Sequence, residues 1–319
     1  MALTLRICKC SLNSRISVNL IRRYACMPFK HDTTGKTQTG RLTYENTEKY
    51  IEIDGINIHY HEAGEEHPDT IVFLHGGGLG ASGWFNFYLN IEPFSEHFRT
   101  ILIDMPNFGK SDVHIHTEID ATTLDCNILS SFLKKKGIEK ASLMGNSKGG
   151  GDAIQFSVTH NDQLDLLALM GARTGPSLFD PLPHEGTHLL GDILKNPTIE
   201  QVERVLHLFV YDDSAVTESF VDMRWKSVQA SEEHRKARLA SKTGGTNWTG
   251  RLHEVTQPTL VLFGAYDRFA ALDSSVSLMR HYPNSELHVF RNGGHWVQWE
   301  NADEFNGVVL EWALRQKSL

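Results

Sequence analysis

Cysteine is scarce in this chain. Four of 319 residues are Cys, and Cys8, Cys10 and Cys26 crowd the first 26 positions. Only Cys126 lies in the body, so no disulfide can form within it, and a reducing compartment suits the chain. Cys8-Lys9-Cys10 is C-x-C without a second pair, which is not a zinc pattern. Long apolar runs are missing too: no window approaches the roughly 20 residues of a membrane span. Basic runs are absent from the body. Lys plus Arg is 31 against 39 for Asp plus Glu, a net charge of −8. Nothing there would neutralise a phosphate backbone, so nucleic acid is excluded as a partner. There is no internal repeat and no low-complexity segment. What remains is an ordinary globular composition, 40% hydrophobic and 22% charged. The length suits one large domain with an insertion, or two small ones.

The first thirty residues stand apart. They hold Arg6, Lys9, Arg15, Arg22, Arg23 and Lys30 with Ser11, Ser14 and Ser17, and the first acidic residue is Asp32. An Arg-rich, Ser-rich, acid-free start has the composition of an organelle transit peptide. Arg22-Arg23-Tyr24-Ala25 also resembles a mitochondrial processing pattern, so a mitochondrial location is expected. If residues 1–30 are only a tail, or precede the true start, the expectation becomes cytoplasmic. Residues 31–45, polar and rich in Thr and Gly, read as a linker.

The body alternates apolar strands with helices. Ile51–Ile53 and Ile56–Tyr60 flank Asp54-Gly55, a hairpin signal. Thr70–Leu74, Thr100–Ile103, Ala141–Met144, Leu164–Met170, Thr259–Phe263 and Leu287–Phe290 read as strands. Helices are expected at 118–136, 149–160, 273–281 and 302–316. Apolar strands alternating with helices predict an α/β fold, a mostly parallel sheet covered on both faces. The alternation breaks over 173–247, with Pro181, Pro183 and Pro197. That segment is expected to be a helical lid inserted into a core made of 46–172 and 248–319.

Gly145-Asn146-Ser147-Lys148-Gly149 fits G-x-S-x-G between a strand and a helix, the context a nucleophile elbow requires. The small residues permit a sharp turn that lifts the Ser147 hydroxyl above the sheet, over a helix N-terminus that favours negative charge. A base and an orienter are expected downstream in the order Ser…Asp…His. Asp267 and His295 each follow a strand and fill those roles. His75-Gly76-Gly77-Gly78 also follows a strand, and its N–H groups can face an oxyanion. The donors expected are the Gly77 and Lys148 N–H groups. His59 and His61 read as ordinary strand residues. His114 and His116 lack a third ligand and read as loop residues, so no metal is expected.

These residues resemble a family. HGGGLGASGWFNF (75–87) is similar to the HGGGPGAxGWxN stretch of the meta-cleavage product hydrolases, α/β-hydrolases that split a carbon–carbon bond in ring-fission products. GNSKGG is similar to their GNSMGG, and GHWVQWENADEFN (294–306) to their GHWxQWExADEFN. PSLFDPLPHEG (176–186) and FVYDDSAVTESFVDMRW (209–225) resemble their lid. The resemblance covers roughly residues 50–315. It implies the triad Ser147, Asp267 and His295, and a substrate site containing Asn86, Asn146, Gly78, Arg224, Phe209, Trp225, Trp248 and Trp296. It implies a small-molecule 2-hydroxy-6-oxo-hexa-2,4-dienoate substrate, no cofactor, and a homo-oligomer. Ester, thioester or lactone hydrolysis on the same scaffold is the alternative. The chain departs from the family at Leu79 (usually Pro), Asn107 (usually Gly) and Lys148 (usually Met or Leu). The Lys148 side chain is expected either to reach the site or to pair with Asp152 four residues on.

Overall fold

In the computed structural model, which describes residues 35–173 and 185–318, the Asp54-Gly55 turn closes the first hairpin. Both residues take positive φ, +53° and +81°, as a primed two-residue turn demands. The turn joins strands β1 (Glu48–Ile53) and β2 (Ile56–Ala63) with Ile53 opposite Ile56. Six more strands complete one sheet: β3 (Thr70–Leu74), β4 (Arg99–Ile103), β5 (Ala141–Asn146), β6 (Leu164–Met170), β7 (Thr259–Gly264) and β8 (Ser285–Phe290). Their order is β1-β2-β4-β3-β5-β6-β7-β8. β2 runs antiparallel to β1 and β4, and the pairs from β4 to β8 are parallel.

That order has a reversal point. β3 pairs with β4 on one side and β5 on the other. Connections leaving β3 and β5 therefore part company there and open a crevice at the strands' carboxyl ends, where open α/β sheets bind ligands. The Gly76–Gly78 run follows β3 and Ser147 follows β5.

The central strands β3, β5 and β7 are buried throughout. Alternate side chains serve opposite faces, as the two-residue period of a strand dictates. Ile71, Phe73, Met144, Leu260 and Leu262 join one apolar cluster, while Val72, Leu74, Leu143, Val261 and Phe263 join the other. Helices α2 (Ala121–Lys135), α3 (Lys148–Thr159) and α8 (Leu272–His281) cover the second face through Phe132, Phe156 and Leu278. Helix α9 (Ala302–Lys317) covers the first through Phe305, Val309 and Trp312. α2 starts three residues later than its apolar pattern suggests, because the Asp120 carboxylate caps it by accepting from Thr123 N (3.1 Å).

Among the described residues four α-helices lie between β6 and β7: α4 (Glu185–Lys195), α5 (Ile199–Phe209), α6 (Glu218–Ala230) and α7 (Glu232–Ala240). Thr198 and Gln201 form a capping box at the start of α5, and Thr217 caps α6. Val205, Phe209 and Phe220 carry this layer's apolar face onto the first cluster. A helix that the strand-and-helix pattern does not reveal, α1 (Gly83–Phe87), is started by Ser82 accepting from Phe85 N.

Residues 1–30, and the part of PSLFDPLPHEG up to 184, lie outside the described residues. Within the stretch read as a linker, the Gly35 carbonyl accepts from Trp84 Nε1 (3.0 Å) and the Thr39 hydroxyl bonds Glu92 (2.5 Å). Among the described residues no helix is long and apolar enough to cross a membrane.

Candidate active site

Ser147 sits at the junction of β5 and α3 with φ +53°. A non-glycine residue there stores strain, and the surroundings must hold it. Ser147 N donates to Met170 O of β6 (2.8 Å), and Gly149 N donates to His75 O after β3 (3.1 Å). The flanking glycines make this possible. A Cβ on Gly145 would sit 2.3 Å from Gly149 O, and one on Gly149 would sit 2.2 Å from Leu74 O. The G-x-S-x-G spacing is therefore a packing requirement of the turn.

His295 follows β8. Its Nδ1 meets Asp267 Oδ2 at 2.8 Å, both side chains being almost wholly buried. The other Asp267 oxygen accepts from Phe269 N (2.7 Å) and Ala270 N (2.9 Å), which fixes the carboxylate. The His295 ring packs against both Phe209 and Phe269, 5.7 and 4.7 Å from their centroids, and those two rings stack on each other at 4.4 Å. Nε2 is buried with no hydrogen-bond partner among the described residues, and His295 lines one cavity with Ser147. With Nδ1–H given to Asp267, Nε2 is the basic nitrogen, the tautomer a general base needs.

The loop expected to donate to an oxyanion is pinned from several sides. His75 Nδ1 donates to Gly76 O (2.8 Å) while its Nε2 accepts from Met105 N (3.1 Å). That pattern needs a neutral ring, and burial pushes its pKa down to about 4. Arg238 of α7 donates to Gly77 O (2.7 Å). Arg224 (3.1 Å) and Ser227 (2.9 Å) of α6 both donate to Gly80 O. A Cβ on Gly77 would lie 3.1 Å from Lys148 Cβ, so the two expected oxyanion donors are neighbours. Lys148 opens α3, where N–H groups have no partner carbonyl earlier in the helix.

The cavity measures about 330 Å³, and its walls include Gly76, Gly77, Gly78, Asn86, Asn146, Lys148, Gly151, Arg173, Leu190, Phe209, Arg224 and Trp296. Arg224 is buried and pairs with no carboxylate among the described residues. Its guanidinium lies 4.7 Å from the Phe85 ring and 5.7 Å from Trp296. Burial pulls its pKa down to about 9, which leaves it cationic at neutral pH. Both amide atoms of Asn86, and Oδ1 of Asn146, are buried without hydrogen-bond partners among the described residues. Unsatisfied polar groups facing a cavity are costly unless something polar binds there.

Lys148 has a different environment. Its Nζ pairs with Asp125 of α2 and with Asp152 (2.7 Å) of its own helix. The pairing with Asp152 is the helical one expected; Asp125 was not foreseen.

A sequence profile described as the alpha/beta hydrolase fold matches residues 69–302. A 2-hydroxy-6-oxononadienedioate/2-hydroxy-6-oxononatrienedioate hydrolase of Paraburkholderia phymatum is 39% identical over 285 residues, 86% of this chain and 98% of the relative. A 2-hydroxy-6-oxo-6-phenylhexa-2,4-dienoate hydrolase of Comamonas testosteroni is 39% identical over 287 residues, 86% and 99% of the two chains. The chain belongs to the meta-cleavage product hydrolases. A solved structure of one such enzyme, from Pseudomonas fluorescens, superposes with a TM-score of 0.73 at 27% identity, covering 84% of this chain and 97% of that one.

Two aromatic residues that the family motifs suggested do not line this cavity. Trp225 follows Arg224 on α6, about 100° further round, and packs against the apolar cluster instead. Trp248 lies against the opposite cluster and donates from Nε1 to Gln155 (3.0 Å). His59 is buried on β2 with Nδ1 on Asp104 (2.7 Å), away from the cavity. Other participants were overlooked. Glu300, inside the HWVQWE motif, accepts from Gly294 N (2.7 Å) and Asp212 N (2.8 Å), tying the His295 turn to the end of the α5 segment. Arg173, Gly151 and Leu190 line the cavity with no motif to announce them.

Proposed function

We propose that this chain hydrolyses the bond between carbons 5 and 6 of a 2-hydroxy-6-oxo-hexa-2,4-dienoate. The products are a 2-hydroxypentadienoate and the carboxylic acid formed from carbon 6. The observation that carries this is Arg224, a buried guanidinium in the cavity without a carboxylate among the described residues. Ester cleavage leaves charge on oxygen, and the backbone donors beside Ser147 suffice for it. Carbon–carbon cleavage must also place an electron pair on carbon. The dienoate supplies that sink once carbon 5 gains a proton and the 2-hydroxyl loses one, giving the 2,6-dioxo form. Arg224, with Asn86 nearby, holds the carboxylate and the 2-oxygen and stabilises the enolate that forms. His295 takes the proton from the oxygen that attacks carbon 6, whether of Ser147 or of water, and returns it as the bond breaks. One water is consumed, its oxygen ending in the released acid.

Ring-fission dienoates are yellow and lose their colour on cleavage. Purified protein should bleach them, and Ser147→Ala should abolish both bleaching and p-nitrophenyl ester turnover. Rapid ester turnover with every dienoate left yellow would overturn the reading and make this a carboxylic ester, thioester or lactone hydrolase. The composition of residues 1–30 supports a mitochondrial address, although the relatives named above are bacterial. Import of the full chain into isolated mitochondria, read as shortening, tests it. A homo-oligomer is the expected assembly, read by light scattering.

A further inference from the structure

A second cavity, of about 250 Å³, shares a wall with the first, since Lys148 lines both. Gly77 belongs to the first cavity and Arg238 to the second, and Arg238 Nη2 donates to Gly77 O across that wall (2.7 Å). Among the described residues that is the one hydrogen bond Arg238 makes, and no carboxylate there forms an ion pair with it. A guanidinium carries five N–H donors, so most of them are left for something in the cavity. Burial pulls the Arg238 pKa down to about 10, which keeps it cationic. The guanidinium rests 4.4 Å from the Phe108 ring, and Leu124 and Leu194 add apolar wall. Asp125 lines the cavity too, but Lys148 matches its charge. Exposed Lys242 brings a further positive charge to the rim. The rim is built: Lys242 N donates to His116 O (2.7 Å), His116 N to Ser241 Oγ (3.2 Å) and Lys242 Nζ to Glu118 O (2.7 Å).

We propose that this second cavity binds an apolar monocarboxylate through Arg238, and that the bound acid slows hydrolysis by weakening the hold of Arg238 on Gly77 O. The lining argues for that class of ligand. A guanidinium takes a carboxylate in two parallel hydrogen bonds, while the ring and the two leucines suit an apolar body. Inorganic phosphate would use the first feature and not the second. The effect on rate follows from electrostatics. A carboxylate on Arg238 competes with the Gly77 carbonyl for the guanidinium, and it brings negative charge toward the place where the oxyanion forms. Both changes oppose the chemical step and leave the substrate's own contacts in the first cavity alone, so kcat falls and KM holds. The inference depends on the shared wall and not on which substrate fills the first cavity, so it stands for esters and dienoates alike.

The test is turnover of p-nitrophenyl acetate against rising benzoate, with benzamide and inorganic phosphate as controls at matched ionic strength. Benzoate should lower kcat by up to about tenfold, the loss of one hydrogen bond at Gly77 O, with KM unmoved. Benzamide and phosphate should do neither. Arg238→Gln should start from its own lowered kcat and be insensitive to benzoate, which a merely structural role for Arg238 would not produce. Lys242→Glu, a change at an exposed side chain, should keep the native kcat without benzoate and need about fivefold more of it for the same inhibition. A rise in KM in place of the fall in kcat would put benzoate in the catalytic cavity and overturn the proposal. So would inhibition that persists in Arg238→Gln, or no inhibition by benzoate at all. Should Arg238→Gln not fold, the shift in Lys242→Glu carries the test, and an unshifted benzoate dependence there overturns the proposal.

Discussion

Lys148 and Arg224 stand at the wall of one cavity, and among the described residues only the lysine has carboxylates to hold it. Burial alone would push Lys148 down; Asp125 and Asp152 hold it above the ordinary lysine range. The two aspartates are in turn displaced. Burial pushes Asp152 up to about 7, with Lys148 opposing and Asp125 adding to the rise, and burial raises Asp125 as well. Arg224 donates to a carbonyl and lies against two aromatic rings, with no carboxylate partner among the described residues. A buried cation with matched carboxylates belongs to the scaffold. One with no carboxylate partner among the described residues, as Arg224 is, suits a ligand that brings its own, the role proposed above. The lysine beside Ser147 is thus matched within the fold by Asp125 and Asp152.

The comparison breaks most visibly at Lys148. Lys148→Met leaves two buried aspartates facing each other, and stability at neutral pH should fall by about 3–5 kcal/mol. Urea unfolding at pH 7.5 reads it. An unchanged midpoint would remove Lys148 from the scaffold. Arg224→Gln should do the reverse. No ion pair is lost, so Tm should hold or rise, while kcat/KM on dienoates falls about 100-fold. Turnover of p-nitrophenyl acetate should stay within a few-fold, and an equal loss on both substrates would place Arg224 in the general hydrolytic machinery.

Arg238 sharpens the contrast as a third cation. It touches the loop rather than the ligand, donating to Gly77 O and resting 4.4 Å from the Phe108 ring. Arg238→Gln should lower kcat about tenfold for esters and dienoates alike, with KM nearly unmoved. A KM effect confined to dienoates would make it a substrate contact instead.

The smallest effect is a slope. Asp152 has a raised folded pKa, so the folded state holds its proton to higher pH than the unfolded chain does. Its contribution to stability is fully present below the unfolded value, near 4, and is lost as pH rises toward 7. Asp152→Asn should flatten ΔG between pH 4 and 7 by at most about 1.4 kcal/mol per pH unit. A steeper slope in the variant would contradict the assignment.

Much of this molecule is written locally in its chain. Continuous apolar runs mark β3, β5 and β7 because both faces of those strands are covered. Asp54-Gly55 announces its own turn. Ser147, Asp267 and His295 each stand in a short motif at a strand end. The supports do not. Asp125 lies 23 residues from Lys148, Arg238 161 from Gly77, and Glu300 88 from Asp212. No periodicity encodes such pairings, which exist only once the sheet and the helices between β6 and β7 have come together. Trp225 shows the complementary error, since standing next to Arg224 on a helix turns its side chain to another face.

The hydrogen bonds from α6 and α7 to the Gly77 and Gly80 carbonyls bear on timing as well as on shape. Three bonds from two helices meet one short loop, so any motion that lifts α6 or α7 must break bonds to the loop after β3, and the position of that loop is coupled to the helices between β6 and β7.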